Sequence, residues 1–145
     1  MHPVYANARA ILEGVEQAKR LGAAPAPTGP LSVLLEGVRL VSENNAHEHW
    51  RERQKRAKRQ RWYAAFKLRD VSAYLPCTVR ITRIAPRELD DDNLAGACKH
   101  IRDGVADALG LKSDRDPRVA WEVAQERGGK GVYATRIEIT PQAKE

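Results

Sequence analysis

The sequence predicts an α/β (α+β) chain, a mixed β-sheet with helices packed on it, and three observations carry that reading. Short alternating or β-branched runs recur along the chain, and helix-length stretches with one apolar face lie between them. Prolines and glycines fall at the joints instead of inside these runs. The 145 residues, 42% hydrophobic and 30% charged, suit one compact soluble domain with a usable core.

The elements follow in order. From Val4 to Leu21, Ala8, Ile11, Leu12, Val15 and Ala18 recur at helical spacing among charged residues, which predicts an amphipathic helix. Gly22 stops it, and Ala23–Pro30, with three prolines, reads as a stiff linker. Residues 1–30 thus look appended to a main body over 31–145. Ser32–Glu36 and Val38–Val41 flank Gly37 and predict a strand pair or one bent strand. His47 to Arg69 has no Gly or Pro and predicts one long helix, polar nearly all round over 50–61. Cys77–Ile84 alternates like a strand. Leu94–Leu109 has an apolar helical face with Gly110 as its stop. Arg118–Gln125 and Val132–Thr140, joined by the Gly-rich turn at 128–131, predict a hairpin.

Charge limits the function classes. No apolar run approaches the ~20 residues of a membrane span, and the first thirty residues lack the order of a secretory signal, so membrane insertion and secretion are not expected. Cys77 and Cys98 form no CxxC pair, which supports neither a disulfide framework nor a cysteine zinc site; a cytoplasmic setting is expected. Net charge is +6, and the basicity is concentrated. Residues 51–69 hold Arg51, Arg53, Lys55, Arg56, Lys58, Arg59, Arg61, Lys67 and Arg69 against the single acid Glu52. That is the footprint of a polyanion binder, because each cation that meets a phosphate releases condensed counterions. A merely solvated helix face is the plainer alternative.

Acids are segregated as well: seven of the eight aspartates are Asp90, Asp91, Asp92, Asp103, Asp107, Asp114 and Asp116. One Asp suffices to cap a helix, whereas three in a row repel one another and are better tolerated around a cation. In an extended segment Asp90 and Asp92 would point the same way. Asp114 and Asp116 repeat that spacing, and if the two loops converge, three or four carboxylates form a hard-oxygen site suited to Mg2+. An EF-hand is excluded, since its required glycine position holds Ala95. Asp103 and Asp107 read as ordinary exposed-face residues or as partners for Arg102 and Lys99. His47 and His49 read as a solvated helix start, and Trp50, Trp62 and Tyr63 as core residues more than as base-stacking platforms.

The run Arg87-x-x-Asp90-x-Asp92-Asn93-Leu94 at a strand–helix junction, Asp107-Ala-Leu109 near the helix end, the Asp114-Arg-Asp116 loop and the strands after it together resemble the RusA family of Holliday junction resolvases. The similarity spans roughly residues 31–140. It implies a RusA-like fold and a homodimer that cuts four-way DNA junctions with Mg2+, for which Mn2+ can substitute. It also implies that Asp90, Asp92 and Asp116 hold the metal, with Asp114 in reserve. The family often has a lysine at the position of Gly96 here; Lys99 is the nearest candidate for that catalytic role. Arg51, Arg53, Lys55, Arg56, Lys58, Arg59, Arg61 and Arg87 are the expected DNA contacts. The rival expectations are a non-catalytic nucleic-acid-binding protein using helix 50–69, and a nuclease acting on flaps or duplex.

Overall fold

A computed structural model describes residues 27, 29–43 and 48–143. The expected N-terminal helix and five of the eight residues of the Pro-rich linker lie outside the described residues, as does His47. The elements are β1 (Leu31–Glu36), α1 (Trp50–Leu68), a 3-10 turn (Ser72–Tyr74), β2 (Cys77–Ala85), α2 (Asp91–Ala97), α3 (Lys99–Ala108), β3 (Val119–Arg127) and β4 (Ala134–Pro141). The strands form one mixed sheet in the order β1-β4-β2-β3. The α+β class read from the sequence therefore holds.

Two sequence expectations are corrected. Only Leu31–Glu36 is a strand; Gly37, at φ +73°, turns the chain away, so Val38–Val41 forms no second strand. More consequentially, β3 and β4 are not a hairpin. β2 lies between them, parallel to β3 with Cys77 opposite Val119, and antiparallel to β4 with Ile81 opposite Ile137. The Gly-rich segment is a crossover. The alternation of β2 explains this: Cys77, Val79 and Ile81 are fully buried on one face, and a central position gives that face neighbours on both sides.

The helices cover that face. Leu35, Val79, Ile81, Ile137 and Ile139 meet Ile101, Val105 and Leu109 of the α3 region in one core. The single helix expected over Leu94–Leu109 is two helices, broken at Cys98, whose N–H turns back to the carbonyls of Gly96 and Leu94. α1 crosses α3 very closely. A Cβ on Gly104 would lie 2.2 Å from the carbonyl oxygen of Arg61, so a glycine is required for the two backbones to approach. Cys77 and Cys98 are buried and free, and burial pushes each thiol up to about 11. No helix among the described residues is long and apolar enough to cross a membrane.

Candidate nucleic-acid interface

Asp90 follows β2 and caps α2. Its backbone is extended (φ −68°, ψ 166°), and its Oδ1 accepts from the N–H of Asn93 at 2.9 Å. The Asn93 side-chain amide donates to the other oxygen, also at 2.9 Å. Ser42, buried beneath, donates to Asn93 Oδ1 at 2.7 Å. Ser42, Asn93 and Asp90 thus form a short relay that ties the residue 38–43 loop to the acidic turn. The segment is not extended as expected: Asp91 and Asp92 occupy the first turn of α2. All three aspartates are exposed, and the helix N-terminus favours their charge.

The second aspartate pair has different surroundings. The Asp114 carboxylate lies 3.3 Å from Lys99 Nζ and 2.9 Å from Arg102 Nε. The Arg102 contact is an ion pair by distance without hydrogen-bond alignment, since that buried Nε has no hydrogen-bond acceptor. Arg102 also lies over the Trp121 ring, and Trp121 donates to the Asp114 carbonyl at 2.8 Å. Burial opposes the charge of Asp114, but Lys99 and Arg102 outweigh it and lower its pKa. Asp116 is held by both the side chain and the backbone N–H of Arg118, at 2.9–3.0 Å, which brings its pKa down to about 2.

The two acidic loops have different anchors on β3. Leu89, beside Asp90, exchanges backbone hydrogen bonds with the Gln125 side chain, while Asp114 is anchored at Trp121. Four residues of β3 separate these anchors, ~13 Å of strand. Among the described residues no three His, Cys, Asp or Glu side chains stand together to hold a metal. Asp90 and Asp92 alone fit a Mg2+ site of the sparse type, in which one or two carboxylates are completed by water and substrate phosphate. The Lys99 ammonium hydrogen-bonds Asp103 at 3.0 Å and Asp114 at 3.3 Å, pairings that raise its pKa.

The basic helix divides in the same way. Arg56 is only 12% exposed and forks onto Glu43 at 2.8 and 3.1 Å while also bonding Glu48; the Glu43 bond leads in raising its pKa. Arg61 grips Asp107 bidentately at 2.7 and 2.9 Å, although Asp107 was expected beside Arg102 or Lys99. Both arginines are thus paired with carboxylates from outside α1, Arg56 largely buried and Arg61 half exposed. Lys55 reaches Glu52 at 3.4 Å, Arg53 approaches Glu43 at 3.9 Å, and Arg51 lies over the Trp50 ring. Lys58, Arg59 and Arg87 are exposed. His49 is the N-cap of α1, as a solvated helix start requires. Trp62 stacks on Phe66, Tyr63 packs on the core, and Trp50 is 55% exposed.

A groove of about 470 Å³ joins the two helical units. Arg53, Gln54 and Ala57 of α1 form one wall; Ala95 and Gly96 of α2 and Lys99 and His100 of α3 form the other, with Glu43 beside them. His100 Nε2 lies 3.3 Å from Glu43. Sequence reasoning missed Ser42, Gln125, Arg39 and Arg83. The last had a signal, because the β2 alternation puts Arg83 in phase with Cys77, Val79 and Ile81. No family model matches the chain. It is 36% identical over 114 residues to an uncharacterized protein of Xylella fastidiosa (strain Temecula1), a match that covers 68% of this chain and 71% of that protein, and it belongs to that protein's family.

Proposed function

We propose that the chain is a structure-selective DNA endonuclease of the RusA type, acting in the cytoplasm as a homodimer on four-way junctions. One observation carries the reading: the basic helix α1 and the helix that begins with the exposed aspartates face each other across a single groove. Arg53, Lys58 and Arg59 supply cationic surface for a phosphate backbone. Asp90 and Asp92 would hold Mg2+, which when bound supplies an activated water and charge stabilisation at phosphorus. Asn93 and Ser42 keep the Asp90 carboxylate oriented. A C2 dimer would present two equivalent sites to the two strands of a junction.

Incubating the protein with a labelled four-way junction, a flap and a plain duplex, each with and without Mg2+, tests the proposal. Paired symmetrical nicks in the junction, dependent on Mg2+, are expected. Preferential cutting of flap or duplex would move the protein to the rival nuclease class. The neutralised state of Asp114 and Asp116 favours a second reading, a non-catalytic nucleic-acid binder. Intact junctions in every arm, with binding retained, would establish that reading and end the first.

A further inference from the structure

Arg83 projects from β2 into the protein and is only 8% exposed. Buried arginines are ordinarily matched by a carboxylate, and this one is not. Its Nε donates to the Leu40 carbonyl at 2.9 Å and its Nη1 to the Arg87 carbonyl at 2.6 Å. Nη2 makes no hydrogen bond with the described residues and is not sealed from solvent. Two carbonyls fix the plane of the guanidinium, so the free edge is held in one direction.

The surroundings add positive charge. Arg39 immediately precedes Leu40, whose carbonyl Arg83 holds, and its own guanidinium stacks 4.3 Å over the Tyr133 ring. Burial, with a smaller push from Arg39, lowers the Arg83 pKa. Among the described residues no carboxylate lies within ion-pair distance of Arg39, Arg83 or Arg87. Arg56, Arg61, Arg102, Arg118 and Arg136 each have one. A buried, oriented, uncompensated guanidinium with a second beside it is the arrangement that a tetrahedral oxyanion completes.

We propose that Arg83 and Arg39 form a phosphate-binding site at the C-terminal end of β2, where Nη2 of Arg83 receives an oxygen of a nucleic-acid phosphodiester. This rests on the DNA-binding part of the reading above and places a strand contact outside the basic helix. Arg87, whose carbonyl orients Arg83, precedes Asp90 by three residues. A backbone phosphate held there is delivered next to the exposed aspartates.

The test uses the full chain without Mg2+, so cleavage plays no part. Binding of a labelled four-way junction is measured across a salt series for wild type, Arg39→Gln and Arg83→Gln. The glutamine amide can still donate to one of the carbonyls. Each variant should lower the slope of log K against log salt by about 0.9, the value of one phosphate contact. In parallel, inorganic phosphate should raise the thermal midpoint of wild type above that in chloride of equal ionic strength, and should not do so for Arg83→Gln. If Arg83→Gln does not fold, exposed Arg39→Gln decides the matter alone. Unchanged slopes overturn the proposal. Protection by inorganic phosphate with unchanged DNA slopes overturns the phosphodiester assignment in favour of a free phosphate site. Mg2+-dependent junction cutting with unchanged slopes would overturn this inference and leave the proposed function standing.

Discussion

Asp90, Asp91 and Asp92 stand exposed around the start of α2, whereas Asp114 and Asp116, which repeat the same i, i+2 spacing, are held by Lys99, Arg102 and Arg118. The difference lies in the backbone. The first cluster occupies a helix N-terminus, where the uncapped N–H groups stabilise negative charge without a counter-cation. The second lies in the loop that returns from α3 to β3, where Lys99 and Arg102 of α3 and Arg118 of the loop itself supply the counter-charge. A carboxylate stabilised by neutral N–H donors, as Asp90 is by Asn93, carries its charge without a counter-cation. One that neutralises a neighbouring Arg is part of the framework.

That contrast breaks first at catalysis. Under the proposed function, Asp92→Asn should lower junction cleavage by about a thousandfold or more, equivalent to ~4 kcal/mol of activation free energy. Binding should be kept, and stability should change by no more than the ~0.3–1 kcal/mol of a helix-end charge. Single-turnover cleavage and a urea midpoint would be measured on the same preparation. Full activity would remove Asp92 from the site.

Asp114→Asn should do the reverse. It leaves Arg102, whose Nε is buried, without its counter-charge, and loosens Lys99. A loss of about 1–3 kcal/mol in urea unfolding is expected, with cleavage per folded molecule largely retained. If Asp114→Asn abolished cleavage with no change in stability, the two clusters would have to be treated as one site.

The same division applies to cations on α1. Replacing Lys58 and Arg59 with Gln should lower the salt slope of DNA binding by about 0.9 for each phosphate that the pair neutralises in the wild type. Arg56→Gln should leave that slope unchanged and weaken folding instead, because Glu43 and Glu48 lose their partner. A fall in slope for Arg56→Gln would mean that its acids release it to DNA.

Where patterns are local, the sequence was legible. The burial of β2 and α3 follows from period two and period three-to-four, and the Asp90 cap from residue type alone. Strand order was not legible, because two alternating runs around a Gly-rich turn look like a hairpin until a third strand has to be fitted between them. Charge density along 51–69 was plain, yet its division into structural and exposed cations depends on Glu43, Glu48 and Asp107, which come from elsewhere in the chain. Arg83 was readable as an arginine in the inward phase of a strand. That it meets carbonyls and no carboxylate among the described residues was not, since its partners come from elsewhere in the chain.

The smallest expected effect is the acid dependence that Asp116 contributes. Arg118 draws the folded-state pKa of this carboxyl down to about 2 from an ordinary 3.8. A depressed pKa means that the folded state holds the proton less tightly than the unfolded chain. The contribution is therefore complete above the unfolded value and declines as pH falls from about 4 toward 2. Solvent surrounds the pair, and salt should screen it. Thermal midpoints of wild type and Asp116→Asn should accordingly differ most above pH 5, approach each other between pH 4 and 2, and differ less in high salt. A gap that stays constant through this window would show that Arg118 does not perturb Asp116 in solution, and would return Asp116 to the pool of carboxylates open to a ligand.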